Sequence, residues 1–305
     1  MYLHKENRDL LRDAILLTSE RLTVSEDIVE KDYYVTMILK KLSIWCPECV
    51  FKGGTSLSKC HHVIDRFSED IDISFSDKLT QGMRKKLKNE TIAGISEELS
   101  LTIIDWENAR SRRDYNAYTF SYDPIEGYVS EGRLIHGVKM EVSLASLSFP
   151  AVELPVESYV YQYLMKENED IVDEYDLHPF TMKVQDIDRT LADKVFAICD
   201  YYLQGKTKRY SRHIYDIYKL LPKVPLGETF KDLVKQVRAA RAEMDICPSA
   251  ASGVNVPELL MEIIDKEIYK EDYASITTYF QREPISYDEA IKSVEIIAKS
   301  GIFEE

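Results

Sequence analysis

No apolar run in the 305 residues approaches the roughly twenty needed to cross a bilayer, so no membrane-spanning helix is expected. The opening stretch, MYLHKENRDLL, has no basic-then-apolar segment of the secretory kind, and a cytoplasmic location is the expectation. Cysteine is scarce. Cys46, Cys49, Cys60, Cys199 and Cys247 form an odd and scattered set, which argues against a disulfide framework and for reduced thiols. Basic charge is in deficit, with 39 Lys and Arg against 53 Asp and Glu, a net charge of −14 and a pI near 5.0. Such a surface repels phosphate backbones, which excludes extensive sequence-independent coating of DNA but leaves room for a local basic groove. Two clusters qualify: Arg84, Lys85, Lys86 and Lys88 with Arg110, Arg112 and Arg113 nearby in sequence, and Lys206, Lys208, Arg209, Arg212 and His213. Taken singly, each also reads as a solvated helix face. Internal repeats, low-complexity segments and long linkers are absent as well.

What remains is the composition of an ordinary globular protein, 45% hydrophobic and 30% charged, long enough for two domains. Residues 5–22 and 25–42 read as helices, the second opening at Ser25 with Ile28, Val35, Ile38, Leu39 and Leu42 at helical spacing. CVFKGG reads as a short strand entering a turn, 56–64 as a helix, DIDISF as a strand and 79–99 as a helix with basic residues on one side. LTIIDW, NAYTFSYD and RLIHGVKMEVSLAS are further strand candidates. From about residue 155 strand signals fade and amphipathic helices follow, the last opening with Ser286 and Glu289 at capping-box spacing. The reading is an α/β (α+β) fold: a mixed-sheet domain over residues 1–155 and a mainly α-helical domain over 156–305.

One stretch, FKGGTSLSKCHHVIDRFSEDIDISF (residues 51–75), concentrates the chemistry. Residues two apart in a strand share a face, so Asp70 and Asp72 point the same way while Ile71, Ile73 and Phe75 face the core. Two carboxylates held that close repel unless a cation compensates them, and Mg²⁺ favours carboxylates together with substrate phosphates. Upstream, backbone amides at Gly53, Gly54, Thr55 and Ser56 can approach a phosphate without obstruction by a β-carbon, and a helix starting at Ser56 adds its positive end. A third carboxylate suits two-metal chemistry, and Glu141 in GVKMEVSLA is the candidate, on a face opposite Val138, Met140, Val142 and Leu144. The plain alternative is an edge strand facing water behind an ordinary glycine turn. Cys46 and Cys49, with Cys60, His61 and His62 following, have the residue types of a zinc site, but the loop and helix positions disfavour one. Among the twenty tyrosines, Tyr33, Tyr34, Tyr201, Tyr202, Tyr215 and Tyr218 lie near the motifs, where packing is the expected role.

Gly-Gly-Thr-Ser followed by a spacer and Asp-x-Asp resembles the DNA polymerase β-like nucleotidyltransferases. Lys52-Gly-Gly-Thr-Ser-Leu with Arg66-Phe-Ser-Glu-Asp-Ile-Asp-Ile, and the earlier IVEKDYYV, narrow the resemblance to the AbiEii group, the toxins of type IV toxin–antitoxin and abortive-infection systems. The thirteen residues between Ser56 and Asp70 are at the long end for the wider superfamily. The resemblance spans most of residues 25–225 and implies a Mg²⁺-dependent transfer of a nucleoside monophosphate from an NTP to an acceptor, with RNA, in particular a tRNA 3′ end, as the expected acceptor and a cognate antitoxin as partner. Carried over to this chain, it assigns Asp70, Asp72 and Glu141 to metal, and Lys52, Gly53, Gly54, Thr55, Ser56, Lys59 and Arg66 to the nucleotide. It also assigns Lys194 to the triphosphate charge and Asp216 to the acceptor side. Arg212-His213 stands where Arg-Asp is expected. Read without the resemblance, Lys194 is a helix lysine among apolar neighbours and Asp216 an i,i+4 partner of Arg212. Ser68, two residues before Asp70, would on phosphorylation crowd the carboxylates with negative charge, a route by which a kinase-like antitoxin silences related toxins. Two other readings stay open: the same chemistry directed at a protein side chain or at a small molecule such as an antibiotic, and a non-catalytic nucleotide-binding module.

Overall fold

The computed structural model describes residues 1–125, 137–278 and 281–304. Seven strands form one mixed sheet: β1 (Cys49–Lys52), β2 (Ile71–Phe75), β3 (Thr102–Ile103), β4 (Tyr115–Ser121), β5 (Val138–Ser143), β6 (Ala151–Val156) and β7 (Phe180–Gln185). Their order is β3-β4-β5-β2-β1-β7-β6. β2 runs parallel to β5 and β1 parallel to β7, while β1–β2, β3–β4 and β4–β5 are antiparallel. The chain divides into two compact units, Met1–Cys60 with Ser68–Val184, and His61–Phe67 with Gln185–Glu305.

In the first unit, helices α1 (Leu3–Glu6), α2 (Arg8–Leu22), α3 (Glu26–Trp45), α4 (Gly53–Lys59), α5 (Gln81–Lys86), α6 (Ala93–Glu98), α7 (Tyr159–Glu167) and α8 (Glu169–Glu174) accompany the sheet. The alternation in β5 is realised: Val138, Met140 and Val142 are buried, Lys139, Glu141 and Ser143 half-buried. β4 repeats it, with Asn116, Tyr118 and Phe120 inward. In β2 the alternation breaks after Ile73. Ser74, two residues after Asp72, is fully buried and its hydroxyl donates to the Ser146 carbonyl.

Several expectations need adjusting. The helix placed at 56–64 occupies Gly53–Lys59 instead, because Gly53, at φ +82°, turns the chain straight from β1 into α4. The helix over 79–99 is interrupted by a π-turn at Leu87–Ile92. LTIIDW contributes only the two residues of β3. The candidate RLIHGVKMEVSLAS yields β5, and its residues 133–136 lie outside the described residues. Strand structure also persists past residue 155, since β7 pairs with β1 through Phe51 and Val184. The first compact unit therefore extends to Val184, past the 155/156 boundary expected from the sequence.

The second unit contains α9 (Ile187–Leu203), α10 (Arg212–Leu220), α11 (Glu228–Ala242), α12 (Val256–Asp265), α13 (Lys270–Asp272) and α14 (Tyr287–Lys299). α10 packs on α9 and α14, burying Ile214, Tyr215, Ile217 and Leu220. Ser286 caps α14, its hydroxyl accepting the Glu289 N–H at 3.2 Å. Among the described residues, no helix is long and apolar enough to cross a membrane.

Candidate active site

Asp72 and Glu141 are Cα partners across the parallel β2–β5 pair, and Lys52 is the partner of Asp72 across the antiparallel β1–β2 pair. Asp70 lies immediately before β2. Asp70, Asp72 and Glu141 are all half-buried. Two neighbours report that the three acids share one surrounding. Burial works against the Lys139 ammonium, yet the hydrogen bond and charge of Glu141, with Asp70 and Asp72 adding, carry its pKa above the ordinary lysine value. Burial likewise pushes the Tyr115 hydroxyl up, reinforced by Glu141 and then by Asp72 and Asp70. Lys139 bonds Glu141 directly.

The glycine turn presses against this acidic face. A β-carbon built on Gly53 would lie 2.1 Å from Asp72 Oδ2, so at a positive φ only glycine fits there. The turn is tied down from inside. Thr55 Oγ1 lies 2.5 Å from the Asp70 carbonyl and 3.0 Å from Ser68 Oγ, and Ser56 Oγ donates to the Gly53 carbonyl at 2.9 Å. Thr55 and Ser56 are thus buried, and their hydroxyls brace the turn; what the turn can offer a phosphate is backbone N–H and the adjacent Lys52.

Lys59 is turned elsewhere, its ammonium 2.5 Å from Asp32 Oδ1 with both residues buried. Asp32 Oδ2 in turn accepts the Tyr159 N–H at 2.8 Å. The IVEKDYYV helix therefore serves as a brace behind the site: Asp32 holds Lys59, Lys31 pairs with Glu69 beside Asp70, and Glu30 accepts the Ile125 N–H at 3.0 Å. Burial lifts the Glu30 carboxyl to about 7.

The remaining candidates assemble in the second unit. Arg66 grips Asp216 through two bonds, Nε–Oδ1 at 2.7 Å and Nη2–Oδ2 at 2.8 Å, and Lys194 Nζ reaches Oδ2 at 2.7 Å. All three are buried, Asp216 completely. Burial alone would raise the Asp216 carboxyl; Arg66 and Lys194 reverse this and hold it well below the usual carboxylate range. Burial, with repulsion from Arg66 and Arg212, pulls Lys194 below the ordinary lysine value against the attraction of Asp216. Asp216 is thus the partner of Arg66, from 150 residues away, in place of the i,i+4 pair with Arg212.

Tyr115, Lys139, Asp32 and Glu69 were not singled out from the sequence. Lys139 carried a signal, since it lies two residues before Glu141 on the same strand face. For donor chemistry, three carboxylates around one surrounding suit a hard divalent cation. Among the described residues, however, no group of three or more acidic, His or Cys side chains is placed to hold a metal ion as it stands, and Glu141 is bonded to Lys139.

No curated protein matches the chain in sequence. Among solved structures, MenT4, a nucleotidyltransferase toxin from Mycobacterium tuberculosis H37Rv, is similar in fold, with a TM-score of 0.57 and 18% identity over 94% of this chain and 88% of that one. The family model for the nucleotidyl transferase AbiEii toxin of type IV toxin–antitoxin systems matches residues 38–293. On that match, the chain belongs to the AbiEii nucleotidyltransferase toxin family.

Proposed function

We propose that this nucleotidyltransferase moves a nucleoside monophosphate from an NTP to an RNA 3′ end, a tRNA end above all, in the cytoplasm, and that a cognate antitoxin restrains it. Transfer forms an ester between an acceptor hydroxyl oxygen and the α-phosphorus and breaks the α–β bridge, releasing pyrophosphate. The observation that carries the reading is the contact between the Gly53 turn and Asp72: the element suited to phosphate and the element suited to metal touch. Asp70 and Asp72 would hold Mg²⁺, joined by Glu141 once it leaves Lys139. The metal, when bound, supplies positive charge at the polyphosphate and makes the acceptor hydroxyl more acidic. Lys52 and the amides of Gly53 and Gly54 hold the outer phosphates, and the internal bonds of Thr55 and Ser56 keep that turn in shape before the nucleotide arrives, so little ordering is left to do on binding. Lys139, released from Glu141, stays within reach of negative charge that develops on the same face.

Incubating the purified chain with Mg²⁺ and α-labelled NTPs against separate total-RNA, protein and metabolite fractions tests this. Label in RNA, removed by exonuclease from the 3′ side and abolished by chelator, is the expected result. Label confined to protein or to small molecules would replace the acceptor, and no label in any fraction would reject the reading.

A further inference from the structure

The acidic chain carries a concentrated basic surface in the unit that holds the carboxylates. Segments 81–88 (QGMRKKLK) and 110–114 (RSRRD) are separated by more than twenty residues, yet together contain seven Lys and Arg against one acid, Asp114. The fold joins them. Gln81 Nε2 donates to Ser111 Oγ at 3.3 Å, Arg84 Nη1 pairs with Asp114 Oδ1 at 2.8 Å, and Lys88 Nζ donates to the Ala109 carbonyl at 2.8 Å while lying over the Trp106 ring. Arg84 and Lys88 thus stitch the seam. Lys85, Lys86, Arg112 and Arg113 are left exposed along it, and among the described residues no side-chain hydrogen bond or ion pair engages Lys85, Lys86 or Arg112.

Gathering like charges costs repulsion, and packing does not use these three. The patch also leads directly to the site. Asp114 is followed by Tyr115, which is 50% exposed and shares its surroundings with Glu141, Asp72 and Asp70. A basic track ending in an exposed aromatic ring is the arrangement that binds an unpaired strand, phosphates on the cations and a base on the ring. A duplex would keep its base faces hidden from Tyr115.

We infer that Lys85, Lys86 and Arg112 hold the phosphate backbone of a single-stranded RNA end, and that the Tyr115 ring stacks on its terminal base. This rests on the RNA-acceptor reading and places RNA contact in the first unit, independently of the Lys206–His213 cluster.

The test is fluorescence anisotropy of a 5′-labelled, single-stranded RNA 12-mer with a free 3′ hydroxyl, titrated with the full chain across a salt series without NTP. The K85E/K86E/R112E variant is expected to lose at least tenfold in affinity at low salt, and the log–log salt slope to fall by about 2, as for three phosphate contacts on a single strand. Its thermal melt should match wild type. Tyr115→Ala is expected to weaken binding roughly tenfold with the slope unchanged, and Tyr115→Phe to restore it. A triple variant that binds with wild-type affinity and slope overturns the surface, as does loss of all binding in K206E/K208E/R209E alone. If the wild type labels RNA with NTP while the triple variant binds and labels equally, only the surface fails. If the wild type neither binds nor labels RNA, the acceptor reading fails with it.

Discussion

Each unit gathers charge around aspartate, and the two do so in opposite ways. In the first, Asp70, Asp72 and Glu141 are half-buried on one sheet face, and a lysine that could be drawn away, Lys139, answers to all three. In the second, Asp216 is fully buried and takes three short bonds from Arg66 and Lys194. The difference is between charge left adjustable and charge already satisfied. A site that must admit a metal and a polyphosphate needs the former; a helical scaffold joined to a distant loop by a sealed ion cluster has the latter. Removing one partner from a buried cluster leaves uncompensated charge, whereas neutralising a half-buried acid leaves the fold largely untouched.

Substitution can break that contrast. The D70N/D72N variant is expected to lose nucleotide transfer by at least about a thousandfold, since metal charge contributes several kcal/mol to such reactions, while its melting temperature stays within a few degrees of wild type. A double variant that unfolds would mean the acids are structural. Asp216→Ala should do the reverse, costing about 3–5 kcal/mol in urea unfolding because Arg66 and Lys194 are left buried and unpaired. An Asp216→Ala protein of unchanged stability would erase the distinction between the units.

Smaller effects sharpen it. Gly53→Ala puts a methyl onto Asp72 at a positive φ, so a stability loss of about 1–2 kcal/mol is expected together with a raised KM for NTP. A raised KM shared with an apolar control elsewhere in α4 would deny the turn its special place. The pH response should be the mildest. Because the folded Asp216 pKa is depressed, its stabilisation is fully present above the ordinary aspartate value near 4 and is lost as pH falls through the lower folded value. Urea unfolding at pH 7, 6 and 5 should therefore show a nearly constant difference between wild type and Asp216→Asn, shrinking only below about pH 4. A difference that shrinks between pH 7 and 5 would contradict the strong coupling to Arg66 and Lys194.

The parts of this arrangement legible in the sequence are those with local periodicity. The β5 alternation displayed Glu141 opposite Val138, Met140 and Val142, and the capping-box spacing of Ser286 and Glu289 marked the start of α14. Pairings between residues far apart in the chain have no such trace. Arg66 meets Asp216 across 150 positions and Lys59 meets Asp32 across 27, so a lysine and an arginine expected to face the nucleotide turn out to carry internal pairs. β6, with Pro155 and a mostly outward pattern at the sheet edge, lacks the apolar run that identifies a central strand. The ends of α4 also depended on one torsion, that of Gly53, which no periodicity encodes.

The central claim is that the β2–β5 carboxylates, beside the Gly53 turn, receive the metal and the nucleotide together. Crystals grown with Mn²⁺ and a non-hydrolysable NTP analogue address it through anomalous scattering. An anomalous peak about 2.2 Å from carboxylate oxygens of both Asp70 and Asp72, with phosphate density against the amides of Gly53 and Gly54, is the predicted result. Ordered nucleotide with its metal away from both aspartates would contradict the account.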